Sequence, residues 1–591
     1  MEFEQKAEEK KMSMSKNIAR LAVTAGLTAA LSFGGVMAPV TMAFAEGNTT
    51  VTFIDNAYSS TTTYKGIQIF TADVDGTTVK NIQWAGSGEQ QKAIQTAVVG
   101  AINEWSTAHN LGNYTSMNAQ AAAEWLNTNA QVNGTDSRIA NDNVLNKIAK
   151  KLSDESFTWK TTQQGDNTLT GLDAGYWLFL TNGVYKPTDG SAVEQSTDVF
   201  TSPIFKLVNG TDAVNITPKK KIPTVEKKIV SDAGSAEHDA ADSHIGQDVT
   251  YNLYGTIAGN YDTYDTYYYQ FSDQLSKGLT LESGFTATLF ASRSLAQAHT
   301  GGIDVTKSFT QSKEVADTTT GIKTTTWTCS NLKSVAGVTS ESCIVVSYKA
   351  KINSEAAIGG NAGNTNTATL TYSNNPMTND TGTTVPDEVK TYTYGLKLNK
   401  VDLGTEEALK DPNIKFTIRV KSAADSNLQG KYVQSDGTLV GAEHKLSVTN
   451  GAITIKGLGA GTYTVVETDA PANYDKVQPF DFTITPNRDS KASGESSVGA
   501  KYEINTSQID QVIIGTPNNV KDDNKLEANA DTITNDDGTF NITVGDTKKV
   551  GLPLTGLNGV TFTWIAGGAV LCIGVAHLIR SRKQAEESEQ E

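Results

Sequence analysis

Leu396-Lys397-Leu398-Asn399-Lys400 and Ile414-Lys415-Phe416-Thr417-Ile418-Arg419-Val420 alternate apolar with polar residues. Successive strand side chains point to opposite faces, so Ile414, Phe416, Ile418 and Val420 share one side, as do Ile453 and Ile455. From Thr391 to Val550 such runs are broken by Gly and Asn turns, which reads as a β-sandwich. Asn487 to Ala500 and the polar run Asp522 to Asp537 are expected to be long loops or insertions. One residue breaks the pattern. Leu396, Leu398 and Lys400 fall on the same face, yet lysine is almost never fully buried unless paired. A side chain snorkelling at the sheet edge is the ordinary explanation.

Working outward, residues 219–390 are Thr-, Ser- and Asn-rich with alternating runs at Asp248 to Tyr254 and Cys343 to Ile352, again a sandwich. Residues 46–218 are mixed. Ala93, Ile94, Ala97, Val98, Ala101, Ile102 and Trp105 recur at helical spacing, and Ala121, Trp125, Val144, Ile148 and Leu152 suggest two more helices. Gly66 to Phe70 and Tyr176 to Leu180 are strand-like. The fold class is therefore mainly β, tandem β-sandwiches behind an α+β N-terminal domain. The roughly 500 residues involved suffice for three or four domains.

Both ends carry signals. Lys16 and Arg20 precede an apolar stretch from Leu21 to Val40, and Ala43-Phe44-Ala45 is a small-x-small cleavage site, so residues 1–45 read as a secretory signal peptide. The glutamates within Met1 to Lys11 point to a start at Met12 or Met14. Residues 551–591 hold Leu552-Pro553-Leu554-Thr555-Gly556, an apolar run from Val560 to Ile579 long enough to cross a bilayer, and Arg580-Ser581-Arg582-Lys583, which would stay cytoplasmic. This order resembles the LPxTG sorting signal of Gram-positive surface proteins. The resemblance implies that a sortase cysteine attacks the Thr555 carbonyl and releases Gly556 with the tail, so the apolar run is a transient hold. It also implies a secreted protein anchored to the peptidoglycan of the cell wall.

The net charge of -16 argues against nucleic-acid binding, which needs a basic face. Of three cysteines, Cys572 lies in the tail. Cys329 and Cys343 flank a loop-like stretch and fit a disulfide outside the cell, with two separate thiols as the alternative. His238, Asp239, Asp242 and His244 lie in a polar run that reads as a hydrated loop rather than a metal site. No cofactor is expected, and no arrangement for an enzyme active site stands out.

A second lysine shares the oddity of Lys400. In Pro223-Thr224-Val225-Glu226-Lys227-Lys228-Ile229, Val225, Lys227 and Ile229 share a face. Carboxyl and amide groups lie in Phe271-Ser272-Asp273-Gln274-Leu275 and Asn366-Thr367-Ala368-Thr369-Leu370. Tyr463-Thr464-Val465-Val466-Glu467-Thr468-Asp469-Ala470-Pro471 matches a Y-x-x-x-E-T-x-A-P pattern. Together these resemble the self-crosslinking, Ig-like and collagen-adhesin B-type domains of Gram-positive pilins and adhesins. The resemblance implies an intramolecular isopeptide bond. Burial lowers a lysine pKa and raises a carboxylic acid pKa. A neutral amine can then attack a carbonyl that the protonated acid polarises. It assigns Lys227, Asp273 and Asn366 to the middle domain, and Lys400 and Glu467 to the C-terminal one, with either Asp546 or Asn541 as acceptor. Nothing turns over, so the chain is not an enzyme.

Ala213-Val214-Asn215-Ile216-Thr217-Pro218-Lys219 resembles the pilin motif, with Thr217 where tyrosine is usual. That resemblance makes Lys219 the polymerisation lysine that joins Thr555 of another subunit, with Lys220 and Lys221 as possible substitutes. The implied function is the backbone subunit of a sortase-assembled pilus supporting adhesion. Its partners would be identical subunits, pilus-specific and housekeeping sortases, peptidoglycan, accessory pilins and host surface ligands. The alternative is a single-copy wall-anchored adhesin or minor pilin.

Overall fold

A computed structural model describes residues 47–550, apart from 55–61, 76–77, 131, 133–138, 154–155, 185–196, 219–220, 231–235, 360–362, 492–493, 508–509, 519–524 and 536–537. The signal stretch, the sorting motif with its apolar run, and Lys219 therefore lie outside the described residues. Among those described, no helix is long and apolar enough to cross a membrane.

Near the N-terminus, Thr62–Asp75, Thr78–Trp84, Gly175–Val184 and Ile204–Val208 form one sheet. Three helices pack on it: Gly88–Ala108, Ala119–Asn129 and Val144–Leu152. Asn118 and Asn143 start the last two by accepting the backbone N–H of Ala121 and Leu145, each satisfying one otherwise unpaired donor. Ile94, Val98, Ile102 and Ile148, which helical periodicity predicts, join Leu126, Ile67, Ile69 and Leu178 in one core, with Trp125 partly buried against it. Thr168–Leu172, Thr49–Phe53 and Val214–Ile216 form a smaller sheet with its own core.

Two facing sheets follow. In the first, Val225–Val230, Asp248–Thr256, Cys343–Ile352 and Leu279–Phe290 are consecutive neighbours. In the second, Asp387–Tyr392, Asn364–Ser373, Tyr269–Leu275 and Lys323–Cys329 are consecutive. Alternate residues (Val249, Tyr251 and Leu253; Ile344, Val346 and Tyr348; Phe271; Leu370) fill the space between them. The C-terminal sandwich repeats the plan. Tyr394–Asp402 pairs antiparallel with Ala452–Leu458 and parallel with Thr539–Lys548, so the first and last strands are neighbours. Lys415–Ser422, Gly461–Asp469, Phe480–Lys491 and Gly494–Asn505 build the facing sheet.

Three expectations need correction. Asn487 to Ala500 is not a loop, because the Phe480–Lys491 and Gly494–Asn505 strands stay paired out to Lys491 and Gly494. The sequence there is mostly polar and shows no alternation, but ladder hydrogen bonds need no apolar side chains. Cys329 and Cys343 are two free buried thiols. They lie at strand ends in opposite sheets, Cys329 in the main core and Cys343 in a small cluster with Tyr254, Phe290 and Ala296. The His238 to His244 run is not a hydrated loop. Glu237–His238 and Ala240–Asp242 are short strands on the sheet edges, and His244 is buried. Among the described residues no group of side chains could hold a metal ion.

Candidate functional site

Lys227 and Lys400 are the buried lysines among the described residues. Each sits where strand alternation puts it, between Val225 and Ile229 or in line with Leu396 and Leu398, facing the interior of its sandwich.

In the middle sandwich Lys227 has no solvent exposure. Its ammonium donates to Asp273 from the facing sheet and, at 2.9 Å, to the Tyr348 hydroxyl. Asn366 Nδ2 donates to the same hydroxyl at 2.7 Å. Asp273 and Asn366 come together through strand register. Asp273 lies opposite Ala368 and Leu275 opposite Asn366, so the two side chains are diagonal neighbours on the inner face. The rings of Tyr251 and Tyr348 lie 5.3 and 5.4 Å from Lys227 Nζ. Burial lowers the Lys227 pKa, with Asp273 opposing, and burial raises that of Asp273, with Lys227 opposing. Both shifts favour a neutral amine beside a neutral acid. Asn366 Oδ1 has no hydrogen-bond partner.

In the C-terminal sandwich Lys400 donates to Asp546 on the adjacent parallel strand and, at 3.2 Å, meets Glu467 Oε1 from the facing sheet. Lys400 pairs with Val544 in register, so Phe540, Ile542, Val544 and Asp546 point inward with it. Asn541 lies on the other face, where its Nδ2 donates to the Thr532 carbonyl at 2.9 Å and to Asn535 Oδ1 at 3.0 Å. Of the two acceptors considered, the fold brings Asp546 to the lysine. Glu467 Oε2 accepts the Val477 N–H at 2.9 Å, while Glu467 Oε1 and Asp546 Oδ2 lack hydrogen-bond partners. Burial, opposed by Lys400 and reinforced by the Glu467 charge, pushes Asp546 up to about 7. Two carboxyls beside one amine can share a proton, which makes one an acid and the other a carbonyl that can be attacked.

All three residues expected at the first site, and Lys400, Glu467 and Asp546 at the second, therefore converge. Sequence reasoning missed Tyr348, although the alternation of Val346, Tyr348 and Ala350 within Cys343–Ile352 marks it as inward-facing. It also missed Asp387, which accepts the Lys227 backbone N–H at 2.6 Å, and Phe416, whose ring lies 5.5 Å from Lys400 Nζ. Tyr348 and Asp387 belong to strands far from Lys227 in the chain, whereas Phe416 lies on the strand that follows that of Lys400.

Comparison with known proteins places one family on this geometry. Residues 394–498 match the SpaA prealbumin-like fold domain, the stretch that holds Lys400 and Glu467. No curated protein matches the chain. Among solved structures, the chain is similar to the T6 backbone pilin of Streptococcus pyogenes serotype M6. Identity is 15%, the TM-score is 0.43, and the match covers 86% of this chain and 99% of that one. It is also similar to the full-length major pilin SpaD of Corynebacterium diphtheriae, at 17% identity, TM-score 0.40 and coverage of 86% and 99%. A third is the fimbrial protein FimP of Actinomyces oris, at 13% identity, TM-score 0.38 and coverage of 86% and 98%.

Proposed function

We propose that the chain is the repeating backbone subunit of a covalent pilus on a Gram-positive cell surface. Each sandwich is closed by an internal isopeptide bond, Lys227 to Asn366 and Lys400 to Asp546, and subunits are joined through Lys219 and Thr555. The observation that carries this reading is the pair of fully buried lysines, Lys227 held against Asp273 with Asn366 on the same Tyr348 hydroxyl, and Lys400 held against Glu467 and Asp546. A buried ion pair is weak evidence for stability. As reactants poised for amide formation, the same groups have a purpose.

The positions of the two bonds suit a fibre under tension. Lys400 lies on the first strand of its sandwich and Asp546 on the last, parallel and adjacent. Tension entering at Tyr394 would pass through the amide to the chain end beyond Asp546 without loading the residues between. Lys227 likewise lies on the first strand of the middle sandwich and Asn366 on a strand of the facing sheet. In the middle site the leaving group is ammonia and in the C-terminal site water. Lys219 follows the Val214–Ile216 strand in the sequence and is the amine that resolves a sortase thioester. The Leu552 to Gly556 motif supplies that thioester's acyl group, which ties the fibre to sortases and finally to peptidoglycan.

The test is electrophoresis of wall extracts boiled in detergent. A ladder of regularly spaced bands that collapses in Lys219→Ala is the expected result. One discrete band, unchanged by that substitution, would instead fit a single-copy anchored adhesin.

A further inference from the structure

The two lysine sites differ in one respect. In the C-terminal site the acid and the acceptor are both carboxyls on the lysine, and the ring beside it, Phe416, carries no hydroxyl. In the middle site no direct hydrogen bond joins Asp273 to Asn366 among those the described residues make. Tyr348 stands between them. Its hydroxyl oxygen receives Lys227 Nζ at 2.9 Å and Asn366 Nδ2 at 2.7 Å, and its own proton has Asp273 within reach. The ring is fixed by Tyr251, opposite it in register with centroids 5.5 Å apart, and by Trp327 at 4.8 Å. Its exposure is 2%.

We propose that Tyr348 is a catalytic group of the middle sandwich, relaying a proton from Asp273 to the leaving nitrogen of Asn366. The proposal rests on the reading that Lys227 and Asn366 form an amide. The neutral Lys227 amine attacks Asn366 Cγ, forming the C–N bond and driving the carbonyl electrons onto Oδ1, the atom of that amide without a partner. The Tyr348 hydroxyl gives its proton to Nδ2, the protonated Asp273 restores the hydroxyl, and the new bond's nitrogen then gives one proton to the Asp273 carboxylate so formed. Collapse of the Oδ1 electrons breaks Cγ–Nδ2 and releases ammonia, with Asp273 and Tyr348 as they began. Burial holds the Tyr348 pKa well above its ordinary value, so the hydroxyl keeps a proton to give. The C-terminal site needs no such relay, because the acid Glu467 itself interacts with the Asp546 side chain.

Full-length chain made by cell-free synthesis, quenched in acid at intervals, gives the rate of each bond by mass spectrometry of cross-linked peptides. Tyr348→Phe keeps the ring and its packing. Its Lys227–Asn366 bond is expected to close about a hundredfold more slowly than wild type, in the range of general acid–base contributions, while its Lys400–Asp546 bond closes at the wild-type rate. Closure of both at wild-type rates overturns the proposal but leaves the proposed function standing. A wild-type chain that never closes the Lys227 bond overturns the reading beneath it. Should Tyr348→Phe fail to fold, 3-fluorotyrosine at position 348, nearly isosteric and a stronger acid, serves instead. A faster closure supports the relay, and an unchanged one refutes it.

Discussion

Replacing Lys400 by methionine removes the amine and keeps most of the stem's packing against Phe416. Lys400 and Asp546 are 146 positions apart. A cross-link closing a loop of that length withdraws about 5 kcal/mol of entropy from the unfolded chain, by the relation used for disulfides. For a unit of this size that corresponds to a fall of roughly 10 to 20 °C in its Tm. Differential scanning calorimetry of wild type and Lys400→Met measures it directly. The double variant Lys400→Met/Asp546→Leu separates a bond from an ion pair, because replacing a buried ion pair by apolar side chains is often neutral or stabilising, whereas loss of the link lowers Tm. An unchanged or raised Tm in Lys400→Met would refute the argument that Lys400 acts through a covalent link.

The same variant has a pH signature. Asp546 is pushed up to about 7 with Lys400 present, and removing the cation takes away an influence that lowers it. A carboxyl raised in the folded state gives stability that is complete below its unfolded pKa and lost as pH rises through the folded one. The Tm of Lys400→Met should therefore fall between pH 4 and pH 8 while that of the bonded wild type stays level; parallel profiles would count against the buried carboxyl pair. Asp273→Ala should leave the middle sandwich unbonded, its mass higher than expected for the bonded variant by one ammonia and its C-terminal bond intact, and a normal Lys227–Asn366 peptide would remove Asp273 from the mechanism. Cys329 and Cys343 should resist alkylation until the chain is denatured, since burial pushes the Cys343 thiol up to about 11 and raises that of Cys329. A disulfide-linked peptide in the mature protein would contradict the two free thiols.

Alternation made much of this protein legible. The core-facing rows of both sandwiches, and the direction of Lys227 and Lys400, follow from a period of two. The helical rows of the N-terminal region follow from one of 3.6. What stayed hidden depends on register between distant strands. The choice between Asn541 and Asp546 turns on parity along one strand, because odd positions there face away from Lys400 and even positions face it. The choice could have been made from the apolar Phe540, Ile542 and Val544. Tyr348 was harder, since its meeting with Asn366 is set by how two sheets face each other. The Phe480 to Asn505 hairpin escaped because the sequence from Asn487 to Ala500 is mostly polar and does not alternate. The cysteine spacing misled, because sequence proximity across a loop says nothing of which sheet each strand joins.

The central claim is that buried amines become amides, and the intact mass of the mature wild-type protein tests it most directly. The account predicts a value below the sequence mass by one ammonia and one water, with branched peptides joining Lys227 to Asn366 and Lys400 to Asp546. A mass equal to that of the linear sequence, with both lysines recovered as free side chains, would contradict it.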